Sequence, residues 1–164
     1  MPKLQFATNS YKSSALQLSA QRVINAYAEA QPKDAKTDVA VFGCPGLVTF
    51  ATLGAGPVRG MHVLNDVLYA VSGGQFYSVS SAGTATALGS GVAGTGPIPM
   101  DDNGTELMLV NGTNGWIWND TADTFTLIND ADFNAANTVT FMDSYFVTDW
   151  AGTGKIARSN SLAG

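Results

Sequence analysis

The chain contains one cysteine, one histidine and few charged residues, and each shortage excludes a class of structure or site. With Cys44 alone, no disulfide can form within the chain and no cysteine-cluster metal site can exist, because both need at least two thiols. The sequence has no run of about 18 apolar residues to span a bilayer, and its N-terminus lacks the apolar core of an export signal. We therefore predict a protein that is made in the cytoplasm and has no membrane partner.

The charged residues are also unevenly distributed. Residues 1–36 carry five basic and two acidic side chains, a net +3, whereas residues 37–164 carry three basic and eleven acidic ones, a net −8. A basic arm suits docking on an acidic surface, although simple solvation of the arm explains the charge equally well. The acidic body is expected to repel nucleic acid rather than to bind it.

What the sequence does contain is a repeat. An alternating apolar run, a Gly/Asn/Asp turn and an aromatic-rich run occur together three times, with the first run at residues 67–71, 106–110 and 145–149. The period is about 39 residues, the length typical of a four-stranded propeller blade. We therefore predict an all-β fold of β-propeller-like repeats, preceded by an extended N-terminal arm.

Turn residues and alternation place the strands within each repeat. The strands predicted for the first repeat are 58–64, 67–72, 75–80 and 84–88, for the second 98–101, 106–110, 116–118 and 125–128, and for the third 138–142 and 145–150, after which the last blade stops, unfinished, soon after Ile156. This makes two complete blades and part of a third, whereas propellers close with about four to eight. We expect the chain to be the N-terminal portion of a longer propeller, with completion of the ring by other subunits as the alternative.

The predicted domains are an arm at residues 1–38 and blades at residues 39–164. Within the arm, residues 14–31 fit two structures. As a helix, the apolar residues fall on one face and Pro32 ends it; as a strand over 22–27, Val23, Asn25 and Tyr27 share one side. Periodicity alone leaves the two structures open, and the strand is favoured because of the family resemblance described below.

After the arm, we expect three local features in succession. A strand at residues 38–42 is followed by a tight turn at 43–46, in which Pro45 presets φ and Gly46 supplies a positive φ. A second short strand is expected at residues 47–53.

Two glycine-rich stretches match phosphate-binding motifs only in part. Residues 89–94 have the spacing of a dinucleotide fingerprint, but Pro97 and Pro99 follow where that fingerprint requires a helix. Residues 152–155 lack both the leading glycine and the Ser/Thr of a phosphate loop. We interpret the first stretch as an inter-blade loop and the second as a turn, and predict no cofactor.

A partial calcium motif is explained in the same way. Asp130, Asp132 and Asn134 have the opening spacing of a calcium loop, but Ala135 and Phe141 stand where its glycine and bidentate glutamate belong. An acidic loop without an ion is the better interpretation, and no metal site is predicted.

No set of catalytic residues is evident, so the chain is predicted not to be an enzyme. A nucleophilic pair of Cys44 with His62 is disfavoured, because Cys44 precedes a proline in a turn and has no basic neighbour in sequence to activate its thiol. Asp101, Asp102 and Asp149 are the carboxylates that a propeller hydrolase would use, but no partner base is apparent for them.

Aromatic residues concentrate on the predicted strands and suggest an alternative function. Trp116 and Trp118 could stack on sugar rings, which would make the chain a carbohydrate-binding β-propeller adhesin module. Packing between blades is the preferred explanation for them.

Several stretches together resemble one protein family. Residues 19–29, the sequence Gly43-Cys44-Pro45-Gly46-Leu47, the blades, and the later segments 132–133 and 140–147 are similar to the packaged DNA stabilization proteins, which form the tail hub or nozzle of short-tailed phages. Ala28 stands where the family has a proline.

The resemblance implies a structural role in the virion, in the phage tail. Members of that family are expected to form a ring, a hexamer, below the head-to-tail adaptor, to contact tail fibre or spike and tail plug proteins, and to retain DNA that passes without specific binding. It implies no catalytic residues. The residues assigned to organising the arm and its assembly are Arg22, Asn25, Tyr27, Glu29, Cys44, Pro45 and Gly46.

Overall fold

The computed structural model describes residues 24–35 and 38–160. Within these residues the chain forms thirteen β-strands and no helix, so no helix there could cross a membrane. All strand pairings are antiparallel. The chain divides into two compact units, residues 1–48 and 49–164.

The described part of the first unit is a two-stranded ribbon. β1 (Ala26–Ala30) pairs with β2 (Val39–Gly43), and Tyr27 lies opposite Phe42. β2, which the sequence places among the blades, pairs with a strand of the arm, and the arm boundary at residue 38 stays a prediction. We call β1 and β2 the ribbon.

The ribbon decides between the two interpretations of residues 14–31 where they are described. The helix is wrong over Ala26–Ala30, because a strand distant in sequence provides the hydrogen-bonding partner that local periodicity cannot reveal. The strand also begins later than predicted, since Asn25 adopts a left-handed φ of 52° and does not continue the alternation of Tyr27. Residues 14–23, including Arg22 and Val23, lie outside the described residues.

Two predictions that follow the ribbon are wrong. Residues 43–46 form no tight turn, and Gly46 does not adopt a positive φ. Residues 47–53 form no strand, and they pair with no strand among the described residues. An extended segment becomes a strand only where another segment supplies its hydrogen bonds, and no described segment does so for residues 47–53.

The second unit contains three sheets, each a meander in which consecutive strands are neighbours. Sheet I consists of β3 (Val58–Leu64), β4 (Val67–Ser72), β5 (Gln75–Val79) and β6 (Ala85–Ser90). Sheet II consists of β7 (Met100–Asp102), β8 (Glu106–Val110), β9 (Gly115–Asn119) and β10 (Thr124–Leu127). Sheet III consists of β11 (Val139–Met142), β12 (Tyr145–Asp149) and β13 (Ile156–Arg158). The predicted all-β repeat is confirmed, and none of the sheets closes on itself.

Turn chemistry sets the first hairpin of sheets I and III. Asn65 and Asp66 have φ of 50° and 64°, and Asp143 and Ser144 have φ of 52° and 71°. Two consecutive left-handed residues are the signature of the two-residue turn whose twist matches that of the flanking strands. Asn and Asp tolerate this conformation better than other side chains, which is why the sequence predicts these turns correctly.

The core lies between the sheets. Leu107 and Leu109 of β8 pack in one cluster with residues of sheet I, whereas the alternate residues Met108 and Val110 pack in a second cluster with Phe146 of sheet III. Because successive side chains of a strand point to opposite faces, β8 is buried on both sides. This explains its uninterrupted apolar run, which a sheet with one solvated face would not show.

Candidate functional site

The first strands of the three sheets are joined through polar side chains. Near sheet I, Nε2 of His62 on β3 lies 2.5 Å from Oδ2 of Asp102 on β7. Near sheet III, the backbone N–H of Phe141 on β11 donates to Oδ2 of Asp101 at 2.6 Å. His62, Asp101 and Asp102 are half-buried and form what we call the first-strand cluster.

The contacting residues are about one repeat apart in sequence. His62 and Asp102 are separated by 40 residues, as are Asp101 and Phe141, and the side chain of Asn65 donates to the carbonyl of Gly104, 39 residues away. The first strands of neighbouring sheets therefore meet at equivalent positions or one residue away from them. Local motif spacing missed the pairing of His62 with Asp102, but the repeat period carried the signal.

The sequence suggests no partner base for the carboxylates of Asp101, Asp102 and Asp149. In the structure, the imidazole of His62 lies beside the first two of them. His62 touches Asp102, and donor atoms of His62, Asp101 and Asp102 all lie within 4.8 Å of one another. The carboxylates are also oriented by backbone amides, since Asp101 Oδ1 accepts from the N–H of Asp102 and Asp102 Oδ1 accepts from the N–H of Gly104. An imidazole and two oriented carboxylates can hold a proton or a cation between sheets I and II.

Asp149 is not part of this cluster. Its Oδ1 accepts hydrogen bonds from the backbone N–H groups of Asn137 and Thr138, each at 2.7 Å, and the Asn137 amide donates to its Oδ2 at 3.0 Å. The Asn137 amide is the largest cause that lowers the pKa of Asp149, with the Thr138 and Asn137 backbone adding to it. Asp149 therefore fixes the start of β11 against the end of β12.

A second polar contact joins sheets I and II at the side of the turns. Asp120, which follows β9, accepts hydrogen bonds from the Tyr69 hydroxyl and from the Asn65 amide, the latter at 2.9 Å. The hydrogen bond from Tyr69 is the main cause that lowers the pKa of Asp120, and that from Asn65 is the second. Burial, followed by the bond to Asp120, raises the pKa of Tyr69 to about 12. Both partners therefore keep their ordinary protonation states at neutral pH.

Arg59 organises the loop that the glycine-rich stretch forms between sheets I and II. The side chain is 8% exposed, and its guanidinium donates to the carbonyls of Gly73, Val92, Ala93 and Gly96 over 2.6–3.0 Å. A phosphate-binding loop presents backbone N–H groups, whereas this loop turns carbonyls toward a cation. The geometry supports the interpretation as an inter-blade loop.

The two tryptophans proposed for sugar stacking are in the core. Trp116 and Trp118 are each 3% exposed, and both belong to the cluster between sheets I and II. Trp118 lies 5.9 Å from the ring centre of Tyr69 and 5.8 Å from that of Phe76. Stacking on a sugar needs an open ring face, so the predicted carbohydrate contacts of these two residues do not fit the structure.

The residues assigned to the arm are placed as follows. Tyr27 and Phe42 stack across the ribbon, with ring centres 5.7 Å apart, and remain 50% and 42% exposed. The carbonyl of Asn25 accepts a hydrogen bond from the N–H of Cys44 at 2.8 Å, which extends the pairing of the ribbon by one contact.

The residues assigned to the arm are exposed where the structure describes them. This includes Glu29, Cys44, Pro45 and Gly46, whereas Arg22 lies outside the described residues. Their role in assembly stays a prediction.

The chain matches a known protein family over most of its length. Residues 4–159 match the model of the family described as "Bacteriophage P22 Gp10, beta-propeller", which covers nearly the whole chain. No curated protein matches the chain.

Proposed function

Because the chain belongs to the bacteriophage P22 Gp10 β-propeller family, a family of phage structural proteins, we propose that it acts as a hub or nozzle of the phage tail. In this role it lies below the head-to-tail adaptor, retains the packaged DNA and anchors other tail parts. The proposal includes a ring of identical copies, a hexamer, and no catalytic step.

The observation that carries the proposal is the state of the ribbon. A two-stranded ribbon is at best marginally stable in water, because it covers neither of its faces and leaves both edges unpaired. Here β1 and β2 pair only with each other among the described residues, and Tyr27 and Phe42 expose a stacked aromatic pair. Such a ribbon gains pairing and burial when another subunit or the adaptor contacts it.

The charges of the body support passage of DNA without binding. Residues 37–164 contain three basic side chains, Arg59, Lys155 and Arg158. Arg59 is buried among carbonyls, and Lys155 and Arg158 lie over the rings of Trp150 and Tyr145. Since DNA-binding proteins rely on clustered free cations to contact phosphates, an acidic surface of this kind gives the duplex little to bind.

Particle imaging combined with mass determination tests the proposal. The purified protein is measured alone and mixed with the adaptor protein of the same phage, and we expect a ring with a central channel in one or both samples. The double variant Tyr27→Ser/Phe42→Ser is expected to reduce ring formation, because it removes the exposed aromatic pair. Leu127→Ser, at an exposed position of β10, is the matched control and should assemble normally.

Two results would overturn the proposal. A monomer that ignores the adaptor would contradict assembly, and a salt-dependent affinity for DNA tighter than about micromolar would contradict passage without binding. The second measurement uses the wild-type protein, so a folding defect in the ribbon variant cannot produce it.

A further inference from the structure

The first-strand cluster brings an unusual set of metal-ligating atoms together where sheets I and II meet. Consecutive residues of a strand ordinarily face opposite sides, yet Asp101 and Asp102 each bring a donor atom within 4.8 Å of the other and of His62. Among the described residues β7 pairs with β8 alone, so it is an edge strand there, and both carboxylates come together with the imidazole of the neighbouring edge strand β3. The result is one nitrogen donor and two oxygen donors in one place.

The charge of the cluster is not balanced by basic residues. Among residues 24–35 and 38–160, neither Asp101 nor Asp102 forms an ion pair with a lysine or arginine, and the imidazole of His62 is the side chain that reaches Asp102. The three basic side chains of the body are occupied by carbonyls and aromatic rings. Two carboxylates this close repel each other, and a cation relieves that repulsion.

The distances suit a small divalent cation. Metal–ligand bonds of about 2.0–2.2 Å at a tetrahedral centre place ligand atoms about 3.3 Å apart. In the cluster, the His62–Asp102 contact is 2.5 Å and all three donor atoms lie within 4.8 Å of one another, so the required spacing falls within this limit and needs His62 and Asp102 to separate by less than about 1 Å. The side chains of His62 and Asp102 are each 23% exposed, which leaves a path for the ion and for a water ligand.

We propose that His62, Asp101 and Asp102 bind a divalent transition-metal cation of the Zn²⁺ type, which bridges β3 of sheet I and β7 of sheet II. An imidazole nitrogen favours Zn²⁺, Co²⁺ or Ni²⁺ over Mg²⁺ and Ca²⁺, which prefer sites made entirely of oxygen. The backbone amides of Phe141, Asp102 and Gly104 orient the carboxylates from behind, as the outer contacts of metal ligands commonly do. Bound metal takes the place of the direct contact between His62 and Asp102, so the two sheets stay linked.

Calorimetric titration with ZnCl₂ measures the site. The protein is untagged, stripped with a chelator and carries Cys44→Ser, because the exposed thiol of Cys44 could bind Zn²⁺ by itself. We expect one saturable Zn²⁺ per chain, with Mg²⁺ unable to compete at equal concentration. His62→Gln and Asp102→Asn should each weaken Zn²⁺ binding at least tenfold. Asp143→Asn removes an exposed carboxylate from a turn and should bind as tightly as the parent.

A spectroscopic measurement keeps the test independent of the variants. The chain has one histidine, so its imidazole C–H proton signals in NMR belong to His62. Added Zn²⁺ should shift these signals in step with the calorimetric saturation, and added Co²⁺ should shift them far more through its unpaired electrons. Imidazole signals that do not move while Zn²⁺ binds, or the absence of saturable binding, would overturn the proposal. Equal affinities for the parent and His62→Gln would overturn it as well.

Discussion

Single polar residues link neighbouring sheets in this protein through hydrogen bonds between their side chains. Asp120 shows how much depends on one carboxylate, because it accepts hydrogen bonds from both Tyr69 and Asn65 of sheet I while it belongs to the end of sheet II. A hydrogen bond to a charged acceptor is stronger than a neutral one, and a buried hydroxyl left without its acceptor is costly. The hydrogen bonds of Asp120 therefore hold sheets I and II together at this point.

Replacing Asp120 should reveal the contribution of these hydrogen bonds to stability through its pH dependence. The folded-state pKa of Asp120 lies below its ordinary value, so its contribution is fully present above about pH 5 and is lost as the pH falls through the ordinary and then the folded pKa. We expect Asp120→Asn to lower the free energy of unfolding by about 1 kcal/mol at pH 7, discounted for its partial exposure. The difference between variant and parent should shrink toward pH 3 in urea unfolding experiments.

The neighbouring Asp123 provides the control for this experiment. It is an exposed acid of the same turn, and Asp123→Asn makes the same change in charge without a hydrogen-bonding partner being lost. Its effect should be small at both pH values. If Asp120→Asn lowers the free energy of unfolding equally at pH 7 and pH 3, the ionised carboxylate is not what links the two sheets.

At the scale of strands and loops, the sequence predicts what depends on near neighbours. The strands of sheets I to III follow from alternation bounded by turn residues, and the left-handed Asn65 and Asp66 have the side chains that such a turn favours. Residues 47–53 carry the same kind of apolar pattern and form no strand, because pairing depends on a distant segment that the pattern does not contain. The same limit applied to the helical interpretation of the arm.

The candidate sites divide along the same line. The position of Trp116 and Trp118 on a strand was predictable, but which face is covered depends on the neighbouring sheet, and that sheet buries both. His62 and Asp102 escaped detection because motif searches compare residues a few positions apart, whereas these two meet across one full repeat. Comparing positions about one repeat apart, including the residue next to the equivalent one, would have placed them together.

The loop between sheets I and II should depend on Arg59 more than on any of its own residues. Arg59→Met keeps much of the apolar stem but leaves the carbonyls of Gly73, Val92, Ala93 and Gly96 without their donor. We expect a loss of about 3 kcal/mol or more in the free energy of unfolding, because one buried and three part-buried acceptors lose a charged partner at once. Hydrogen exchange should also rise at the amides of Val92 and Ile98, which tie the loop to Gly74 and Arg59.

Arg158 is the matched control for Arg59. It is exposed and lies over the ring of Tyr145, 4.4 Å from its centre, a contact worth about 0.5–1 kcal/mol at the surface. Arg158→Met should therefore leave the loop amides protected and cost much less. Equal costs for the two variants would mean that the bonds from Arg59 to the loop contribute nothing specific.

At the scale of the second unit, the packing between neighbouring sheets, rather than the pairing within each sheet, is what stabilises the fold. Phe76 of sheet I stacks on Phe125 of sheet II, with ring centres 4.8 Å apart, and Gly89 of β6 leaves the space that the Phe125 ring occupies. Sheet II has one face in the cluster with sheet I and the other in the cluster with sheet III. Since each sheet buries its apolar face only against a neighbour, the sheets are expected to unfold together.

Truncating one residue of a seam tests this cooperativity. Leu107 is fully buried between sheets I and II, and Leu107→Ala should cost about 2–5 kcal/mol by removing apolar contacts and leaving a cavity. Leu127, on β10 of the same sheet, is 46% exposed, so Leu127→Ala should cost less than about 1 kcal/mol.

Hydrogen exchange distinguishes a shared seam from a local defect. In Leu107→Ala, protection should fall by a similar factor in β4 of sheet I and in β8 of sheet II, because both strands lose their protection in the same opening event. Loss of protection confined to β8 and its partners would mean that sheet I holds its structure without sheet II. In that case the cross-sheet hydrogen bonds of Asp120 and Asp102 would join two separately stable sheets, and the effects of Leu107→Ala and Asp120→Asn should simply add.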